Sequence, residues 1–222
     1  MSSQSVVLCP ASALRTPREE FVSALTHGVG LLVGIVGGVM LVTAAVAAGD
    51  VRCIVGCGFY AATLVAVYAA STLSHLYLPE RHNRFFRRLD QGFIYLLIVG
   101  TFTPFALTFL SSPAWLGFYA FVLSVAFFGF LSKTFFAHRL DRTCIWLYIA
   151  LGWGAAIGFL PMLGLIPSAG LYWIGAGGLC YTIGTIFLGL DIRRYHFHAI
   201  WHVLVIAGSA CHYVAILRVV DA

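Results

Sequence analysis

Residues 23–48 read SALTHGVGLLVGIVGGVMLVTAAVAA, twenty-six positions without one aspartate, glutamate, lysine or arginine. Coiled as an α-helix at 1.5 Å per residue, such a run is about 39 Å long, more than the roughly 30 Å of hydrocarbon in a bilayer. Working outward, six further apolar runs follow at about 54–77, 91–110, 114–132, 144–163, 169–190 and 195–217. At about 20 residues per crossing, seven spans use roughly 140 positions, and only short connections are left from a chain of 222. The reading is an all-α membrane protein, a seven-transmembrane helix bundle. Composition agrees: 61% of residues are hydrophobic and 9% are charged, where a soluble domain carries about a quarter charged. Soluble enzymes, disordered chains, disulfide scaffolds and nucleic-acid-binding modules are excluded on that ground.

The basic residues set the expected orientation, because lysine and arginine are retained on the cytoplasmic side. With seven spans, Arg15, Arg18, Arg81, Arg84, Arg87, Arg88, Lys133, Arg139, Arg142, Arg193 and Arg194 share the side of the amino terminus, against Arg52 and Arg218 opposite. Eleven to two predicts a cytoplasmic amino terminus and an outside carboxyl terminus. The division is then a short cytoplasmic segment, 1–20, and a seven-helix transmembrane domain, 21–218, in the cell membrane. The net charge of +5 reflects this topology and contact with anionic head groups, with no nucleic-acid partner.

Val6-Val7-Leu8 is too short an apolar patch for a signal peptide, so no cleaved leader is expected. Cys9, Cys53, Cys57, Cys144, Cys180 and Cys211 are scattered, without a disulfide spacing. Gly30, Gly34 and Gly38 recur every fourth residue, a pattern for close helix packing, and Pro104 falls inside the third span, where it removes a backbone donor and is expected to bend the helix. No internal repeat of the secondary-transporter kind is visible.

Chemistry must come from polar groups inside apolar runs, since an ionisable side chain in hydrocarbon is costly without a partner or a task. The candidates are His27 in span one, Ser71 and His75 near the end of span two, Asp90 at the start of span three, and His198, His202 and His212 in span seven. Ser71 with His75, and His198 with His202, stand four apart and so share a helix face. Span two ends, and span seven begins, on the inner side. His75 and His198 therefore both fall roughly 6 to 8 Å below the cytoplasmic boundary, with His202 about 6 Å deeper. Three neutral imidazoles with one vertex left for water are the ligand set of a catalytic zinc. The competing reading is a hydrogen-bonded polar cluster that fastens helices together. His27 is either a donor behind the ligands or a packing residue. His212, about 21 Å along the helix from His198, cannot share the ion. His82, His138 and His196 lie near loops.

The stretches Arg18-Glu19-Glu20 with Ala24-Leu25-Thr26-His27-Gly28, Ser71-Thr72-Leu73-Ser74-His75, Arg88-Leu89-Asp90-Gln91, Gly100-Thr101-Phe102-Thr103-Pro104-Phe105 and His198-Ala199-Ile200-Trp201-His202 resemble the hemolysin III family. That family belongs to the progestin and adipoQ receptor group, which includes the adiponectin receptors and is distantly similar to alkaline ceramidases. The likeness runs from Arg18 to Ile216. It implies a seven-helix bundle with the amino terminus inside and a zinc ion, Zn2+, near the cytoplasmic face. By the same resemblance the ligands are His75, His198 and His202, with Ser71 and Asp90 beside the zinc-bound water. The receptor branch's long soluble amino-terminal domain has no counterpart here, so no protein hormone is implied.

The expectation that follows is a zinc-dependent hydrolase cutting an amide or ester bond of a membrane lipid, in the manner of a ceramidase. Asp90 would be the general base, and Ser71 would hydrogen-bond the water or the developing oxyanion. Two alternatives stand beside it: a non-enzymatic lipid sensor or receptor with structural zinc, and a cytolytic protein as the hemolysin name suggests. A conducting pore needs polar residues along a whole bundle, whereas here they collect at one end. A retinal pigment is excluded, because the single lysine, Lys133, stands at a loop boundary and span seven has none.

Overall fold

The first helix, α1 (Pro17–Ala48), starts where the sequence supplies a capping box: the Thr16 hydroxyl accepts from the Glu19 amide, and the Glu19 carboxylate accepts from the Thr16 amide. It ends at Gly49, which adopts φ 83°, a conformation glycine takes without strain. The computed structural model describes residues 16–136, 145–190 and 197–220. Within them follow α2 (Val51–Ser74), α3 (Glu80–Phe109), α4 (Pro113–Phe135), α5 (Ile145–Ile157) with a 3-10 turn at Leu160–Met162, α6 (Ser168–Leu190) and α7 (Phe197–Val220). Every described element is a helix, and seven are long and apolar enough to cross a membrane. Cys9, Cys144, His138, His196 and the basic residues Arg15, Arg139, Arg142, Arg193 and Arg194 lie outside the described residues.

Helix α2 packs against both α1 and α3, α7 packs on α6 and α1, and α4 and α5 flank α3. The core runs through Tyr60, Leu64, Phe102, Phe105 and Ile216, all nearly or fully enclosed. The outward faces are also apolar: Leu32, Val33, Val36 and Val39 of α1 and Phe121 and Phe128 of α4 stand exposed. A surface of that kind matches hydrocarbon rather than water. Gly30 and Gly34 receive Tyr68 of α2, and a Cβ on Gly38 would stand 3.0 Å from the Ala61 methyl, so the glycine stripe does bring α1 close to α2. Helix α3 continues through Pro104 to Phe109.

Two helix bounds differ from the expectation. The helix that carries the third span does not begin near 91, because α3 opens at Glu80 and the apolar run is its later part. The charged stretch breaks the hydropathy but not the helix, and Arg84 Nη1 donates to Glu80 Oε1 across one turn at 3.0 Å. Asp90 therefore sits in the third turn of a helix instead of at its start. The fifth span holds over Ile145–Met162, but its α-helix is not continuous along it. Its α-helix stops at Ile157, where a Cβ on Gly158 would meet the Phe102 ring at 2.3 Å and Pro161 can donate no backbone hydrogen bond. Lys133 stands at the loop boundary, in the last turn of α4, and is buried there.

Candidate metal centre

His75 is the residue that caps the carboxyl end of α2, and the corner behind it is tightly tied. Asn83 of α3 donates through Nδ2 to the carbonyls of Ser74, at 2.8 Å, and Leu76, at 3.2 Å. These bonds satisfy acceptors that a helix end leaves open and fix where the His75 side chain emerges. His198 and His202 occupy successive turns at the start of α7, on one face. The start of α7 and the end of α2 lie at the same end of the bundle, and there the three rings meet.

Their geometry is that of a coordination shell. One nitrogen from each of His75, His198 and His202 lies within 4.8 Å of the other two, and all three side chains are buried. The Nε2 atoms of His75 and His198 are 3.3 Å apart, the edge expected for a tetrahedron whose metal–nitrogen bonds are about 2.0–2.1 Å. This buried triple-histidine group could hold a metal ion. The residues around it fit that occupant. Ser71, one turn before His75, is fully enclosed, and its Oγ has no hydrogen-bond partner; a hydroxyl so placed is costly unless something fills its need.

Glu20, in the first turn of α1, brings its Oε2 to 2.6 Å from His75 Nδ1, and its Oε1 accepts from Arg87 Nη2 of α3 at 3.3 Å. Neither residue is among the site candidates that hydropathy picks out. A legible signal existed, because Glu20 and His27 are seven residues apart and so share a face of α1. His27 itself lies flat on His202, ring centroids 3.7 Å apart and planes 19° from parallel, and neither of its nitrogens has a hydrogen-bond partner. It packs on a candidate ligand without hydrogen-bonding to one. Asp90 is half-buried in α3, one turn beyond Arg87. His82 is exposed, and His212 is buried in the second half of α7, away from the three clustered rings.

These features define a class: a multi-pass membrane protein of seven helices with a buried three-histidine site at one end. The family profile described as Haemolysin-III related matches residues 15–213, and the chain belongs to that family. It is 32% identical to Hemolysin-3 of Bacillus cereus over 200 residues, covering 90% of this chain and 91% of that protein. With the Hemolysin-3 homolog of Bacillus subtilis it shares 33% over 202 residues, covering 91% and 94%. A more distant likeness, 24% over 164 residues and covering 72% of this chain and 68% of the relative, is to the human Monocyte to macrophage differentiation factor. No solved structure gives a significant match.

Proposed function

We propose that the protein is a zinc-dependent hydrolase acting on an amide or ester bond of a membrane lipid, with its amino terminus and its site at the cytoplasmic face. The observation that carries the reading is the trio of buried imidazoles beside an orphan hydroxyl. The donor set favours zinc, because neutral nitrogens at a tetrahedral edge suit an ion without a geometric preference of its own. Held by His75, His198 and His202, that ion would supply Lewis acidity and a bound water acidic enough to ionise near neutral pH. Asp90 would accept the proton of the attacking water, and the Ser71 hydroxyl would donate to the oxygen on which charge develops. The inward bias of lysine and arginine supports the orientation.

A lipid chain also has somewhere to go. A cavity of about 190 Å³ opens among α2, α3, α5, α6 and α7. Val67 and Ile94, one turn from Ser71 and Asp90, and Trp201, next to His202, line its histidine end, while Phe159 and His212 line the other. An apolar slot running away from the polar layer suits an acyl chain whose linkage stops at the histidines.

The test is product formation. Purified protein in vesicles containing ceramide, phospholipid esters or N-acyl lipids should release fatty acid from one class, and a chelator should stop the release until zinc is restored. No product from any of these lipids, with zinc bound, would instead favour the sensor reading, in which the ion fastens α2 to α7. That reading draws on the same rings, which come from 123 residues apart in the chain.

A further inference from the structure

We propose that Glu20 is the positioning residue of this centre: its carboxylate, braced by Arg87, sets the tautomer and ring orientation of His75 so that Nε2 faces the other two histidines. The inference rests on the metal-site part of the hydrolase reading and adds a role for α1 and α3.

The argument starts from imidazole chemistry. A neutral ring carries one proton on either nitrogen, and a carboxylate held against Nδ1 selects the form protonated there, leaving the lone pair on Nε2. In His75 the nitrogen 2.6 Å from Glu20 Oε2 is Nδ1, and the nitrogen 3.3 Å from His198 is Nε2. The two ends of one ring thus face a carboxylate on one side and the ligand cluster on the other. A ring turned over would present carbon atoms to both, so the Glu20 contact excludes that orientation.

Arg87 explains why the carboxylate stays where it is. Glu20 is only 15% exposed and His75 3%, so a lone carboxylate here would carry a large desolvation cost. The Arg87 guanidinium on the second oxygen offsets that cost and divides the carboxylate between two helices. Packing of α1 alone would not fix the Glu20 side chain, in a charged first turn, whereas a bridge to α2 and α3 does. The same bridge makes α1 part of the centre, although it contributes no ligand.

The experiment is zinc and cobalt(II) binding to the purified full-length protein, by chelator competition and by the visible spectrum of bound cobalt, together with the melting temperature of the metal-free form. Glu20→Ala should weaken both ions by about 10- to 100-fold and alter the cobalt spectrum. Glu20→Gln, which keeps an acceptor oxygen but not the charge, should lose less and hold the metal-free melting temperature. Arg87→Gln should fall between wild type and Glu20→Ala. A fastening role alone would lower the metal-free melting temperature in Glu20→Ala and Glu20→Gln and leave affinity and spectrum unmoved, and that result overturns the proposal. Wild-type protein that binds neither ion overturns both this inference and the hydrolase reading. If the Glu20 effects appear but no lipid is cleaved, this inference stands and the hydrolase reading falls.

Discussion

The two ends of α7 carry histidines in opposite circumstances. At its start, His202 stacks on His27 and both His198 and His202 meet the His75 ring edge-on, with centroids 3.7 to 5.2 Å apart, and a carboxylate stands behind His75. Ten residues on from His202, His212 is equally buried but tilts against Tyr181, ring centroids 5.3 Å apart. It belongs to no metal-capable group among the described residues. Burial is common to both ends, so burial does not make the site. Convergence does: four elements, α1, α2, α3 and α7, bring nitrogen, carboxylate and guanidinium to one layer, and only there can an ion repay the desolvation of three imidazoles.

The sharpest way to break this contrast is to remove one histidine from each end. His198→Ala and His202→Ala should each reduce zinc in the purified protein to background, while His212→Ala should keep the wild-type stoichiometry, all read by mass spectrometry. Zinc lost in His212→Ala alone would reverse the assignment. Next in size come the two groups proposed to handle the proton and the charge. Asp90→Asn should retain zinc and lose about 10²- to 10⁴-fold in lipid hydrolysis. Ser71→Ala should retain zinc and lose about 10²-fold, the scale of one missing donor to a developing oxyanion. Normal turnover in either variant would strip that residue of its role.

The sequence made the histidine end readable for a physical reason: ionisable groups in hydrocarbon are few and demand a partner, so six positions stood out against apolar runs. Helical spacing then aligned His198 with His202, and span counting placed His75 at their depth. The parts that escaped are those where hydropathy and structure part company. Residues 80–90 look like a connection because they are charged, yet Glu80, Arg84 and Arg87 lie along the first turns of α3. Arg87 therefore reads as a topology charge, although its guanidinium holds Glu20. Glu20 is hard to read as a site residue because it precedes the apolar run, in a first turn where acidic residues are ordinary helix-start signals. The break in the fifth helix is hidden by hydropathy because Gly158 and Pro161 lie inside an apolar run, yet Pro161 cannot donate to the Ile157 carbonyl one turn back and so ends the α-helix there.

If His212 is a packing residue, its environment should be limited by shape and not by chemistry. A Cβ on Gly177 would lie 2.7 Å from both Cδ2 and Nε2 of His212 and 3.0 Å from the Gly208 carbonyl oxygen, so α6 and α7 touch there through a ring lying on a bare backbone. Gly208 is packed in return, its own added Cβ falling 2.6 Å from the Tyr181 ring. Gly177→Ala must then push the imidazole aside or part the helices, at a cost of about 1–3 kcal/mol. Gly175→Ala is the control two residues earlier on the same helix, where an added methyl meets nothing within 4 Å, and alanine favours helix over glycine by up to about 1 kcal/mol. Thermal melting of the two variants in detergent should therefore move in opposite directions, with zinc content the same in both. A Gly177→Ala protein that melts like wild type would mean the α6–α7 contact is loose enough to accept a methyl, and the packing account of His212 would fail.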